Sequence, residues 1–268
     1  MYKLIALDMD GTLLKDDKTI SAETYTAIKN AKAKGIKVVL TTGRPLKGIK
    51  RYLEHLGLVS EGDYAITCNG SVVQETNTGK VIAEKRVTYQ DVLDIYELSK
   101  VLKLNMHALT ANTCISPKIS KYTQLEADIN KIPLEILDYT EMDPNRKIIK
   151  AMLVEEPEIL DEAIKKIPEE FYDRFTIVKS APFFLEFLNK SVNKGVGVEL
   201  LASCLDIKQE EIICVGDADN DIHMIQYAGL GVAMKNAFPE VKRAANYITH
   251  SNEDDGVAHV INKFILAS

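Results

Sequence analysis

Between residues 80 and 194 the chain has no glycine, although it has 14 elsewhere. Glycine marks tight turns and close backbone approach to ligands, so this absence moves any loop-cradled site to the flanking segments, 1–79 and 195–268. The same stretch holds Pro117, Pro133, Pro144, Pro157, Pro168 and Pro182 out of 8 prolines in all, a turn chemistry unlike that of its flanks. Long apolar runs are missing as well: none approaches the roughly 18 residues of a membrane span. Cysteine is scarce, and Cys68, Cys114, Cys204 and Cys214 include no C-x-x-C pair. Together with an N-terminal apolar run too short for a leader, this gives the expectation of a cytoplasmic protein with reduced thiols. Neither charge dominates: 33 Lys plus Arg against 39 Asp plus Glu leave a net charge of −6, which argues against a nucleic-acid partner. With 46% hydrophobic and 27% charged residues, a disordered tail is excluded.

What is present alternates strand and helix on either side of the glycine-free stretch. Lys3–Leu7, Ile36–Thr41, Tyr64–Cys68, Ile212–Val215 and Leu230–Met234 are short apolar runs that read as buried strands. Ser21 is a helix N-cap and Gly35 its stop, Pro45 and Gly57 bracket a second helix, and Gly195–Cys204 is a third. Alternation of this kind implies an α/β fold, a Rossmann-like doubly wound parallel sheet covered by helices on both faces. The core is expected over 1–82 and 189–268. The middle, 83–188, reads as an inserted α/β domain with an antiparallel or mixed sheet, built from a helix over Tyr89–Leu102 and strands near Asn105–Leu109, Ile148–Val154, Phe175–Val178 and Phe183–Leu188.

In an open α/β sheet, ligands bind beyond the carboxyl ends of the strands. Three of the expected strands end in chemically capable groups: Asp8-Met9-Asp10-Gly11-Thr12, Thr41-Thr42-Gly43-Arg44 and Gly216-Asp217-Ala218-Asp219-Asn220-Asp221. If the chain stays extended, Asp8 and Asp10 face one side. Asp217 and Asp221 add two more carboxylates, and four like charges in one cleft call for a cation. Oxygen donors without a His or Cys cluster favour Mg²⁺. The Thr42 hydroxyl, the Gly43 amide, and Lys194 at the start of a helix suit a phosphate. Each element alone is an ordinary turn or surface residue; their order and shared position at strand ends carry the reading.

These residues resemble the four motifs of the haloacid dehalogenase superfamily. The large insert resembles the cap of its Cof-type branch, and Thr41–Pro45, Asn69-Gly70, Lys179–Pro182 and Asn193-Lys194-Gly195 resemble the YidA-like sugar phosphatases within it. The resemblance runs the length of the chain and implies a Mg²⁺-dependent phosphatase acting on small phosphorylated metabolites, sugar phosphates above all. It implies Asp8 as nucleophile and Asp10 as general acid and base. It further implies Mg²⁺ on the Asp8 carboxylate, the Asp10 carbonyl and Asp217, with Asp221 in support, and phosphoryl oxygens held by Met9, Thr42, Gly43, Lys194 and Asn220. Substrate choice is then expected within the insert.

A phosphosugar mutase using the same nucleophile, or a non-catalytic phosphate- or metal-binding module, stays open at this point, as does the oligomeric state. His107 reads as a core histidine before a sugar contact, and Tyr122, Phe183 and Phe184 as packing. Arg44 reads equally as a substrate contact or as the partner of a structural acid, and the cysteines read as small core residues.

Overall fold

The computed structural model describes residues 1–267. The chain divides into two compact units: one holds Met1–Thr42, Lys50–Ala83 and the chain from Asn193 onward, the other Gly43–Ile49 and Glu84–Val192. The short segment Gly43–Ile49 groups with the insert, which the expected division at 82/83 and 188/189 does not include.

In chain order β1 (Leu4–Leu7), α1 (Ala22–Ala33), β2 (Lys37–Thr41), α2 (Leu46–Leu56), β3 (Tyr64–Thr67), β4 (Val72–Glu75) and β5 (Val81–Glu84) come before the insert. The insert contributes α3 (Tyr89–Leu102), β6 (Asn105–Leu109), β7 (Cys114–Ser116), α4 (Lys121–Asn130), β8 (Leu134–Ile136), β9 (Lys150–Val154), α5 (Pro157–Ile164), α6 (Glu169–Arg174), β10 (Phe175–Ala181) and β11 (Phe184–Asn189). After it come α7 (Lys194–Cys204), β12 (Ile212–Gly216), α8 (Ile222–Tyr227), β13 (Leu230–Ala233), α9 (Pro239–Ala244), β14 (Tyr247–Ile248) and α10 (Gly256–Ile261).

The first sheet has the order β14-β13-β12-β1-β2-β3-β4-β5. From β14 to β3 every pairing is parallel, and β4 returns antiparallel to β3. Strands β4, β5 and β14 extend the sheet beyond the five read from the sequence. β1 is buried at all four positions because strands and helices flank it on every side. Each such Leu or Ile contributes about 1.5–3 kcal/mol of burial. Helix α1 starts where Ser21 Oγ accepts from the Thr24 amide at 3.0 Å, and Gly35 follows it at φ +84°.

The insert's sheet runs β10-β11-β9-β6-β7-β8 and is mixed: β7 and β8 are parallel, the other four neighbouring pairs antiparallel. Successive side chains of a strand alternate faces. One face carries Met106, Ala108, Ala151, Leu153, Leu185 and Phe187 into an apolar core with α3, α5 and α6. Cys68, Cys114 and Cys214 are buried small residues, but Cys204, the last residue of α7, is exposed, so it does not belong to the core. Among the described residues no helix is long and apolar enough to cross a membrane.

Candidate active site

Strands β1 and β12 lie side by side and parallel, with Leu7 opposite Val215. The sheet is wound in opposite directions from this pair, β2 and β3 on one side, β13 and β14 on the other. Two carboxyl ends therefore meet at a topological switch point. Asp8 follows β1 and Asp217 follows β12, and the Asp8 amide still donates to the Val215 carbonyl at 3.0 Å.

Beyond Asp8 the chain hooks. The Leu13 amide donates to the Asp8 carbonyl at 3.2 Å, and the Leu14 amide to the Met9 carbonyl at 2.8 Å. Gly11 sits in this hook at φ +87°, and a Cβ there would lie 2.4 Å from Asp217 Oδ2, so a side chain is excluded twice over. The hook ends the extended geometry that would have aimed Asp8 and Asp10 to one side. Asp8 is buried, whereas the Asp10 side chain is 41% exposed and accepts from Lys18 Nζ at 2.8 Å. The carboxylates that do converge are Asp8, Asp217 and Asp221, whose oxygens lie within 4.8 Å of one another.

Lys194 opens α7, capped by Asn193 Oδ1, which accepts from the Val196 amide at 2.9 Å. Its buried ammonium donates to Asp8 Oδ1 at 2.5 Å and Asp221 Oδ1 at 2.6 Å. The other oxygen of Asp221 accepts from the amides of Asp217 and Ala218 at 2.9 and 3.0 Å. Thr12 donates to Asp217 Oδ1 at 2.7 Å. Asp221 is thus a brace: it fixes both the Asp217 loop and the lysine.

One ammonium faces three carboxylates. Burial, reinforced by the charge of Asp221, pushes Asp8 well above the usual carboxylate range despite Lys194. Burial likewise pushes Asp217 up to about 6, against the Thr12 hydrogen bond and with the charge of Asp221 adding. Burial alone would depress Lys194, but Asp221 and Asp8 outweigh it and hold the ammonium above its ordinary value. Positive charge is short at this point, and the donors are all oxygen. The residues therefore fit a hard divalent cation such as Mg²⁺.

Thr42 follows β2 and is buried. Its amide donates to Ile66, and its carbonyl accepts from the Asn69 amide at 2.9 Å. Asn69 lies in the left-handed region at φ 56°, and its Oδ1 accepts from Asn220 Nδ2 at 3.0 Å. Gly70, at φ +96°, comes so close to α7 that a Cβ would lie 2.1 Å from the Asn193 carbonyl. The loop that positions Asn220 thus abuts the helix start that presents Lys194. Met9 is fully buried within the hook. Gly43 groups with the insert.

Sequence reasoning assigned no role to Thr12, Asn69, Asn193 or Asn236, whose Nδ2 donates to the Gly11 carbonyl at 2.8 Å. Thr12 and Asn69 stand inside quoted motifs, and Asn193 has the form of an N-cap. Asn236 carries no local signal, since only the fold brings it to Gly11. In the insert, His107 is fully buried against Thr123 and Met152; burial, then Lys150, depresses it to about 3. Tyr122 stacks on Phe183 with centroids 4.7 Å apart and donates to Glu156 at 2.6 Å.

Residues 5–261 match the family described as haloacid dehalogenase-like hydrolase. The chain is 45% identical over 269 residues to YxeH of Bacillus subtilis, covering 100% of both, and the phosphatase name of that protein is itself provisional. It is 34% identical over 265 residues to YcsE of the same organism, a 5-amino-6-(5-phospho-D-ribitylamino)uracil phosphatase, covering 98% of this chain and 96% of that one. Among solved structures it is similar to the subclass IIB sugar phosphatase BT4131, with a TM-score of 0.79, 26% identity and 98% of both chains covered.

Proposed function

The chain belongs to the haloacid dehalogenase-like hydrolases, and from that premise we propose that it is a Mg²⁺-dependent phosphatase of small phosphorylated metabolites, sugar or sugar-alcohol phosphates in particular. The observation that carries the reading is a set of three carboxylates, Asp8 and Asp221 buried and Asp217 half-buried, against one lysine at the switch point. Such a set suits an anionic phosphoryl group only once a cation is present. The names of YcsE and BT4131 support a phosphorylated polyol as the substrate class.

Asp8 is the nucleophile. One carboxylate oxygen attacks phosphorus, the bond from phosphorus to the leaving oxygen breaks, and an aspartyl-phosphate results. Asp10 leaves Lys18, takes up a proton from solvent and passes it to the leaving oxygen, and the carboxylate so formed then takes a proton from the water that attacks the aspartyl-phosphate. That second attack breaks the bond from phosphorus to Asp8 and frees inorganic phosphate. Lys194, the Thr42 hydroxyl, the Met9 and Gly43 amides and Asn220 hold the equatorial oxygens, since phosphoryl transfer is mainly positioning and charge neutralisation. Mg²⁺, held by Asp8, Asp217 and the Asp10 carbonyl, supplies the remaining neutralisation when bound.

The test is phosphate release from a panel of sugar, sugar-alcohol and aryl phosphates, with Mg²⁺ or with chelator. Release that requires Mg²⁺ is expected; no release from any member by the folded chain would overturn the proposal.

A further inference from the structure

The hook that carries Asp10 is held from outside by two asparagines of later loops, all within the first unit. Asn236 Nδ2 donates to the Gly11 carbonyl at 2.8 Å, and Asn236 Oδ1 accepts from the Asn252 amide at 3.1 Å. Asn252 Nδ2 in turn donates to the Leu14 carbonyl at 3.0 Å and to Asp16 Oδ1 at 3.3 Å. Gly11 stands at the turn of the hook and Leu14 at its return, where Leu14 lies bridged to Asp10. The loop that bears Asn236 is itself pinned at both ends. The Met234 amide donates to the Gly216 carbonyl at 3.0 Å, and the Phe238 amide to the Asp217 carbonyl at 3.0 Å. Asn236 therefore ties the hook to the strand end that bears Asp217. Thr12 makes a second tie there, to the Asp217 side chain.

Packing does not account for Asn236. Its side chain is exposed, unlike that of Asn252, and an exposed residue removes little apolar surface from water. The hook, by contrast, has little rigidity of its own. Gly11, at φ +87°, follows Asp10 directly and is the residue type with the most backbone freedom. The Asp10 carboxylate meets Lys18 in a pair whose side chains are 41% and 49% exposed, and an exposed pair holds a side chain weakly. The position of Asp10 then depends on its backbone, and that backbone on the tethers at Gly11 and Leu14. Asp8 is held separately, its amide on Val215 and its carboxylate on Lys194.

We propose that Asn236, backed by Asn252, is the positioning residue for Asp10: by fixing the Gly11 carbonyl it sets the reach of the Asp10 carboxyl to the leaving oxygen. This rests on the phosphatase reading and goes beyond it by assigning Asn236 to one step, proton transfer to the leaving group, and not to the attack by Asp8. A general acid acts only within hydrogen-bond reach of its acceptor, and a misplacement of about 1 Å can cost about 10²-fold. Loss of Asn236 therefore loosens the acid and leaves the nucleophile in place.

The experiment measures kcat/KM, which covers the steps through departure of the leaving group, in wild type, Asn236→Ala and Asn252→Ala. The substrates are a hexose 6-phosphate, phenyl phosphate and p-nitrophenyl phosphate. A sugar alkoxide leaves only with a proton, phenolate gains from one, and nitrophenolate leaves as the anion. In Asn236→Ala the loss is expected to grow with the basicity of the leaving oxygen. It should be about tenfold or more for the hexose compound, intermediate for phenyl phosphate and within about twofold for p-nitrophenyl phosphate. Asn252→Ala should follow the same order with smaller losses, because it leaves the bond from Asn236 to Gly11 in place. A merely structural role damages the site as a whole, so equal losses on all three substrates overturn the proposal, as does no loss at all. A loss confined to the hexose compound reads as a missing sugar contact and overturns it too. Amide hydrogen exchange on the same chains needs no turnover. Exchange at the Leu13 and Leu14 amides of the hook is expected to quicken about tenfold in Asn236→Ala while β1 stays as in wild type, and unchanged exchange in the hook overturns the tether. Should wild type release no phosphate from any of the three, the phosphatase reading fails by itself, and the exchange result alone decides whether Asn236 holds the hook.

Discussion

Each unit of the molecule buries a lysine among acids, and the two clusters are built by different means. In the core, Lys194 meets Asp8 and Asp221 where loops leave strand ends, and backbone amides and positive-φ glycines shape the surroundings. In the insert, Lys150 meets Glu186 and Glu126 across the flat face of a sheet and one helix, where no glycine is present. The first arrangement leaves a charge deficit that a metal can fill. The second sets one ammonium against two carboxylates within a closely packed face that also holds Leu109, Met152 and Phe184.

The largest effect separating the two is on turnover. Asp8→Asn is expected to lower phosphate release at least about 10³-fold, as loss of a covalent nucleophile does; a variant with residual activity near wild type would remove Asp8 from the nucleophile role. Next, Lys194→Met and Lys150→Met should each cost about 3–5 kcal/mol in denaturant unfolding, since each strands buried carboxylates. The comparison sharpens on adding Mg²⁺: the cation should stabilise Lys194→Met more than wild type, and Lys150→Met no more than wild type. Equal rescue of both would break the distinction.

Smaller again is the metal's own contribution. At a hundredfold excess over its dissociation constant, Mg²⁺ should stabilise the chain by about 2.7 kcal/mol, and Asp217→Asn should remove most of that in thermal melts with and without chelator.

The pH dependence, gradual in slope, has opposite sign in the two units. Asp217 is raised from 3.8 to about 6, so its folded form holds the proton more tightly than the unfolded chain. In chelator its contribution is complete below pH 3.8 and is lost as pH rises to about 6. His107 is lowered from 6.5 to about 3, so its contribution is complete above pH 6.5 and is lost as pH falls toward 3. Each slope is bounded by one proton, about 1.4 kcal/mol per pH unit. Hydrogen exchange resolved to β12 and β6 should show the two trends, with Asp217→Asn flattening the first and His107→Gln the second.

The core site was legible because its residues sit on punctuation. Asp8, Thr42 and Asp217 each follow a short apolar run, and Gly11, Gly43 and Gly216 lie within three residues of them. The placement of Asp10 was not, because two-residue periodicity holds only while the backbone stays extended, and the Gly11 hook ends that at Asp8. Strands β4 and β14 escaped notice because one is a return after the left-handed Asn69 and the other spans two residues. In the insert, the main strands and α3 were readable from apolar runs. Their polar face was not: Lys150 and Glu186 each interrupt an apolar strand once, and nothing local says that β9 and β11 lie adjacent.

Asp221 spends both of its oxygens on the protein itself, one on Lys194 and one on the amides of Asp217 and Ala218. The ordering of that loop and that ammonium is completed when the chain folds, before any phosphate arrives. A ligand then meets groups with little rotational freedom left to lose. Inorganic phosphate should therefore bind the core with only a small conformational-entropy penalty, and Asp221→Ala should move that penalty from the folding reaction to the binding reaction.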